Sequence, residues 1–246
     1  MLEATKIHSK WSNLKIGITG ARGELGKALI KEFKLKGAYI IGITHSKNSA
    51  LDNNEFSANE YIHWECGRED RLDQTLNSLD ILILNHGVNL KGKINSDKLN
   101  KTLEVNSLST WKIFERFEAL INKINTSNTR REVWVNTSEA EVQPAFSPVY
   151  EISKRLLGQL VSLKSYSRKD PSANKLVIRK LILGPFRSNL NPIGIMSSSF
   201  VAKNIIFQAN LNINLIIVTP NPLTYFIFPL NELIRFIYFK FLSKWN

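Results

Sequence analysis

The chain has 246 residues, 43% hydrophobic and 22% charged, which suits one α/β domain with a core that needs no disulfide or metal. A lone cysteine, Cys66, excludes an internal disulfide framework and fits a reducing, cytoplasmic compartment, and four scattered histidines give no metal-ligand spacing. The net charge of +12 favours polyanionic partners such as a phosphorylated cofactor or an anionic membrane, while no basic helix or stacking platform points to nucleic acid.

In chain order, Met1 to Asn13 is polar and lacks the apolar stretch of a secretory signal. Leu14 to Gly20 reads as a strand that runs into the turn Gly20-Ala21-Arg22-Gly23-Glu24-Leu25-Gly26 and a helix from Lys27 to Leu35. In that context Gly20 permits a tight turn, Gly23 lets backbone approach a pyrophosphate, and Gly26 lets helix pack on strand. The helix start then offers free N–H groups to phosphates. A second strand, Tyr39 to Thr44, ends in His45-Ser46-Lys47. An NAD site carries an acid here for the ribose 2′-hydroxyl. None is present. Arg22, Ser46 and Lys47 could meet a 2′-phosphate instead, which favours NADP(H) over NAD(H).

Asn48 to Asn59 reads as a polar loop, Tyr61 to Cys66 as a third strand and Asp70 to Leu79 as a short helix. Ile81 to Leu84 is a fully apolar fourth strand, followed by Asn85-His86-Gly87. Ser96 to Ile124 reads as one long helix whose apolar stripe is interrupted by Asn106, a residue disfavoured there unless its amide has partners. The strand Glu132 to Val135 leads to Ser138 just past its C-terminal end, where open α/β sheets place their chemistry. On the helix Val149 to Leu163, Tyr150 and Lys154 share a face at i, i+4. A nearby ammonium favours the phenolate and suits such a phenol to proton transfer. A sixth strand, Lys175 to Leu183, ends in Gly184-Pro185-Phe186-Arg187-Ser188. A helix, Phe200 to Ala209, and a seventh strand, Ile213 to Val218, complete the alternation. That pattern predicts a doubly wound, Rossmann-type parallel sheet of about seven strands with helices on both faces, in a single domain over 1–220.

With these pieces placed, residues 14–220 resemble the short-chain dehydrogenase/reductase family. Thr19 to Gly26 resembles its nucleotide turn, in GxxGxxG spacing. Glu65-Cys66 stands where the family often has Asp-Val beside the adenine, and Asn85-His86-Gly87 resembles its Asn-Ala-Gly. Asn106, Ser138, Tyr150 and Lys154 match the catalytic tetrad in order, and Leu183 to Ser188 resembles the segment that holds the nicotinamide amide. His86, Leu183 and Glu24 depart from the family's usual residues. The resemblance implies an NADPH-dependent reduction of a ketone or aldehyde, or the reverse alcohol oxidation. Ser138 would bind the carbonyl, Tyr150 would donate the proton, and Lys154 would lower the Tyr150 pKa and hold the nicotinamide ribose. Asn106 would hold a water linking Lys154 to solvent. The cofactor set is then Gly20, Arg22, Gly23, Leu25, Gly26, Ser46, Lys47, Glu65, Cys66, Asn85, His86, Gly87, Tyr150, Lys154, Gly184, Pro185 and Ser188. A non-catalytic, nucleotide-binding redox regulator or scaffold with the same fold is the alternative.

Only about ten residues, Asn189 to Ser198, stand where the family carries its substrate lid, so an open pocket is expected. The tail, 221–246, is rich in Phe, Ile and Tyr but offers no ~20-residue apolar span. An aromatic helix from Leu233 to Trp245 carrying Arg235, Lys240 and Lys244 resembles an interfacial anchor, which suggests a lipophilic small-molecule substrate and peripheral membrane contact. The same face could dock on its own domain or on a second copy, so a homo-oligomer stays open.

Overall fold

A computed structural model describes residues 9–46, 56–90, 92–123, 130–167 and 175–242. Short, mostly apolar runs, with the more polar edge strand Glu60–His63, form seven parallel strands. These are β1 (Lys15–Thr19), β2 (Tyr39–Thr44), β3 (Glu60–His63), β4 (Ile81–Leu84), β5 (Arg131–Asn136), β6 (Leu176–Leu183) and β7 (Leu215–Val218). Their order is β3-β2-β1-β4-β5-β6-β7, so the direction of winding reverses between β1 and β4 and opens a crevice at the strands' C-terminal ends.

The helices are α1 (Glu24–Lys34), α2 (Asp73–Asn77), α3 (Ser96–Leu103), α4 (Ser109–Lys123), α5 (Pro148–Tyr166), α6 (Ser198–Asn210) and α7 (Thr224–Ile237). On one sheet face, Ile16, Ile18, Leu29, Phe33, Trp134 and Ile205 form a buried core beneath α1 and α6. The opposite face buries Leu82, Leu84, Phe114, Phe117, Val133 and Leu157 beneath α4 and α5. Trp11 closes the first core edge-on against Phe33 and Trp134, at ring distances of 5.4 and 5.7 Å.

Several boundaries differ from the sequence expectation. Helix α1 begins at Glu24, so the third residue after Gly20 is followed at once by helix. Strand β3 stops at His63, and a 3₁₀ turn, Glu69–Leu72, precedes a shorter α2. The long helix is broken between α3 and α4 by a π-helical turn, Glu104–Leu108, centred on Asn106. The tail helix starts at Thr224 rather than Leu233 and runs through Pro229, continuing as a π turn over Tyr238–Leu242. Proline in a helix forfeits one backbone bond. Here tertiary packing compensates: Phe228 is fully buried against Ile182 and Ile217. Trp245 and Lys244 lie outside the described residues.

Candidate active site

The glycine turn is shaped by what a side chain would strike. Gly20 has φ +64°, and a Cβ there would meet the His86 backbone at 3.0 Å. A Cβ on Gly26 would lie 2.3 Å from the Gly20 carbonyl oxygen, so only glycine lets α1 close on the turn. Thr19, at the end of β1, ties this turn to the loop after β4. Its Oγ1 accepts from the Asn85 and His86 amides at 2.8 and 3.2 Å. Nothing in the sequence singled Thr19 out beyond its place before Gly20.

His86 is enclosed by this arrangement. Its Nδ1 pairs with Thr19 Oγ1 at 2.9 Å, its Nε2 with Thr110 Oγ1 at 3.2 Å, and Trp64 packs edge-on at 5.1 Å. Burial, reinforced by the Lys154 charge, pushes its pKa down to about 4. The ring is therefore neutral at physiological pH. An unfolded His titrates near 6.5, so the unfolded chain takes up a proton that the folded chain refuses as pH falls from about 6.5 to about 4. Stability should drop across that window, by at most about 3 kcal/mol. Melting temperatures measured against pH should show a shallower acid slope in His86→Gln. Parallel slopes would sink this assignment.

Asn106 reaches the same loop from the π turn. Its Oδ1 accepts from the Val88 amide at 2.7 Å, and its Nδ2 donates to Val88 O and Ser153 Oγ, each at 2.9 Å. The amide thus clamps the loop after β4 onto α5 through protein groups. Ser153, which the sequence reading passed over, is the bridging residue on α5.

Strand β5 delivers Asn136 and Ser138 to the same edge. Asn136 Nδ2 donates to Asn85 Oδ1 at 2.8 Å, and Lys154 Nζ donates to the Asn136 carbonyl at 3.0 Å. Ser138 Oγ caps the short turn after β5 by accepting from the Ala140 amide at 3.2 Å and donates to the Leu183 carbonyl at 3.4 Å, while its hydroxyl is near enough to the Tyr150 phenol to favour the phenolate. Lys154 Nζ stands 5.7 Å from the Tyr150 ring centre. Ser138, Tyr150 and Lys154 are therefore brought together, and Asn106 sits one residue contact away through Ser153.

The electrostatics differ from the expectation. The Tyr150 phenol stands above its ordinary value, because burial outweighs the pull of the Ser138 hydroxyl. Burial also pushes Lys154 down to about 8, with the Glu141 charge opposing. Desolvation dominates both groups, so Lys154 does not hold the phenol below its ordinary value in this geometry.

The cofactor-side residues divide in two. Arg22 Nη1 donates to Ser46 Oγ at 3.1 Å, the guanidinium lies 5.4 Å from the Tyr61 ring centre, and Arg22 Nε is buried with no partner among the described residues. An anionic oxygen reaching Arg22 Nε would satisfy that orphaned donor. Lys47 lies outside the described residues. Glu65 and Cys66 follow β3 as exposed residues past Trp64. On the other side, Arg187, Ser188 and Asn189 line a cleft of about 460 Å³ with Glu24 and the start of α6. Gly184 and Pro185 lead into it from β6. The short segment to α6 folds back on itself through Phe186 and Met196. Glycine cradle, orphaned arginine and open cleft together fit a phosphorylated dinucleotide.

Among the described residues no three His, Cys, Asp or Glu side chains group to hold a metal, and no helix is long and apolar enough to cross a membrane. No family model matches the sequence. The chain is 42% identical over 235 residues to the monoglucosyldiacylglycerol epimerase of Synechocystis sp.. That match takes in 94% of the chain but 55% of the epimerase, so the chain spans about half the length of that curated relative. Among solved structures, it is similar to a bulky-bulky ketone specific alcohol dehydrogenase from Comamonas testosteroni, with TM-score 0.74 and 14% identity over 95% of this chain and 96% of that one. It is equally similar to a short-chain dehydrogenase from Sphingobium yanoikuyae in complex with NADPH, with TM-score 0.74 and 13% identity over 95% and 98% of the two chains. The fold of this chain is that of the short-chain dehydrogenase/reductases, the family its sequence resembles.

Proposed function

We propose that this protein is an NADP(H)-dependent oxidoreductase that interconverts a carbinol and a ketone, and that it acts on the sugar of a glycolipid, inverting one carbinol centre by oxidation and re-reduction. The observation that carries the chemistry is the meeting of Ser138, Tyr150 and Lys154 at the edge of the sheet that also carries the glycine turn and Arg22. The glycolipid reading rests on the 42% identity to an epimerase of monoglucosyldiacylglycerol. It narrows the lipophilic substrate expected from the aromatic tail.

Arg22 and Ser46 would hold the 2′-phosphate of the cofactor, the Gly20–Gly26 turn and the start of α1 would take its pyrophosphate, and Gly184, Pro185 and Ser188 would flank the nicotinamide. Bound nicotinamide supplies hydride in one direction and accepts it in the other. Ser138 donates a hydrogen bond to the substrate oxygen. Tyr150 gives that oxygen its proton in reduction and takes it back in oxidation. Lys154 keeps a positive charge beside them, and Asn106 fixes the loop that frames the crevice.

Incubation with monoglucosyldiacylglycerol in detergent and a trace of NADP⁺ should yield the epimeric glycolipid without net change in nicotinamide absorbance. Net reduction of added ketones at the expense of NADPH, without epimer, would favour the plain reductase. Cofactor binding with no turnover of either substrate would leave the non-catalytic scaffold. Cofactor choice has its own test. Arg22→Ala should weaken NADPH by about 10- to 100-fold and NADH far less, because one charge-assisted hydrogen bond is lost to a group only NADPH carries. Equal losses in titrations of the two cofactors would refute the assignment.

A further inference from the structure

Helix α7 has two unlike sides. Inward, Phe228 is fully buried and Glu232 is held by Lys180 at 3.1 Å and by the Ser162 hydroxyl at 2.9 Å. Outward, Phe226 is 75% exposed, Leu230 58% and Ile234 57%, spaced at i, i+4, with Phe241 beyond them at 71%. Glu232 is the one acid between Thr219 and Asn246, and it is turned away from this outer face. Lys240 remains exposed beside it, over the Phe236 ring at 5.1 Å.

The start of α7 is stitched to the segment that carries Ser138. Thr219 Oγ1 and Thr224 Oγ1 donate to Glu139 Oε2 at 2.7 and 3.1 Å. Gln143 Nε2 donates to Thr224 Oγ1, and Asn221 Nδ2 donates to Gln143 Oε1, both at 2.8 Å. The outer face of α7 therefore begins at the C-terminal edge of the sheet, beside the segment that carries Ser138. Two other loops leave that edge. Each ends in bare apolar side chains: Phe146, fully exposed just before α5, and Ile193 and Ile195, 75% and 72% exposed in the short segment before α6. Large apolar side chains left bare on loops at this edge mark a candidate interaction surface.

We infer that α7 and these two loops form one surface that docks on an anionic bilayer, so that the crevice opens directly onto the lipid that carries its substrate. The inference rests on the glycolipid reading for the identity of the substrate. The occupant follows from charge: an outer face without an exposed acid, on a chain of net charge +12, complements an anionic surface and repels a second copy of itself. Apolar insertion supplies most of the affinity and the basic groups add to it, so salt weakens binding without abolishing it.

The test is co-sedimentation of the full chain with vesicles of phosphatidylcholine and phosphatidylglycerol, without glycolipid or cofactor. Binding is thereby read separately from catalysis: a failed epimerase assay leaves it untouched, and failed binding leaves the oxidoreductase chemistry standing. The parent should pellet with these vesicles and bind pure phosphatidylcholine several-fold less. The rim variant Phe146→Ser/Ile193→Ser/Ile195→Ser and the helix variant Phe226→Ser/Leu230→Ser/Ile234→Ser should each lose at least about tenfold in partition, with melting temperatures kept, because each removes exposed apolar area. A parent that stays in the supernatant overturns the inference, and so does one that sediments as a dimer instead. A rim variant that binds like the parent overturns the claim that the mouth faces the bilayer.

Discussion

Tyr150→Phe should lower turnover by about 10³-fold or more while leaving the dissociation constant for NADPH within about twofold of the parent. The substitution removes one hydroxyl and keeps the ring, whose packing shapes the crevice. Ser138 keeps its partners in that variant, the Ala140 amide and the Leu183 carbonyl. Isothermal titration with NADPH and single-turnover assays separate the two effects. Turnover retained in that variant would remove Tyr150 from the chemistry. The pH profile follows from the same geometry. Lys154 loses its proton near pH 8 and Tyr150 only above its ordinary value, so reduction should decline as pH rises through about 8 while the phenol is still protonated. A decline that begins only where the phenol itself ionises would place the control elsewhere.

Lys180→Met should cost about 3–5 kcal/mol and loosen α7 from the domain. Lys180 Nζ is buried and meets Glu141 Oε2 at 2.6 Å, Glu232 Oε1 at 3.1 Å, Ser162 Oγ at 2.9 Å and the Gly158 carbonyl at 3.1 Å. Without it, two buried carboxylates lose the ammonium they share, and among the described residues Arg235, 3.2 Å from Glu232, is the cation left paired to them. Burial pushes the Glu141 carboxyl up, against the pull of Lys180. It opposes ionisation of Glu232 as well, yet Lys180 and hydrogen bonds from Tyr166 and Ser162 hold that carboxyl below its usual range. Adding Glu141→Gln and Glu232→Gln to Lys180→Met should recover much of the loss, since the penalty is an uncompensated charge rather than a missing contact. Chemical denaturation of the single and triple variants reads this directly. A loss under about 1 kcal/mol in the single variant would show that water or rearrangement relieves the charges.

The frame of the fold was legible because most strands are short apolar runs bounded by turn residues, as Ile81–Leu84 and Tyr39–Thr44 show. Tyr150 and Lys154 were legible as a pair because their spacing fixes their geometry whatever the rest of the chain does. Asn106 announced a disturbance in its helix, and a π turn stands there, but its partners Val88 and Ser153 could not be read from local pattern. The cluster of Lys180, Glu141 and Glu232 was invisible for the same reason. Its members lie 39 and 52 positions apart, and only the closed sheet brings them within reach. Sequence alone also placed Lys154 as the group that depresses Tyr150. Burial is a tertiary property, and it moves the Tyr150 phenol the other way while lowering Lys154. The tail showed its apolar character plainly, whereas which side faces the domain depended on where Phe228 and Glu232 find partners.

The central claim is hydride exchange between a bound nicotinamide and a carbinol carbon under the control of Tyr150. The most direct measurement uses glycolipid carrying deuterium on each carbinol carbon of its sugar, mixed with enzyme and NADP⁺ in ordinary water. The account predicts epimeric product that keeps its deuterium, with a transient rise in reduced-nicotinamide absorbance that is absent in Tyr150→Phe. Product that has exchanged its deuterium for solvent hydrogen, formed without any nicotinamide signal, would contradict it.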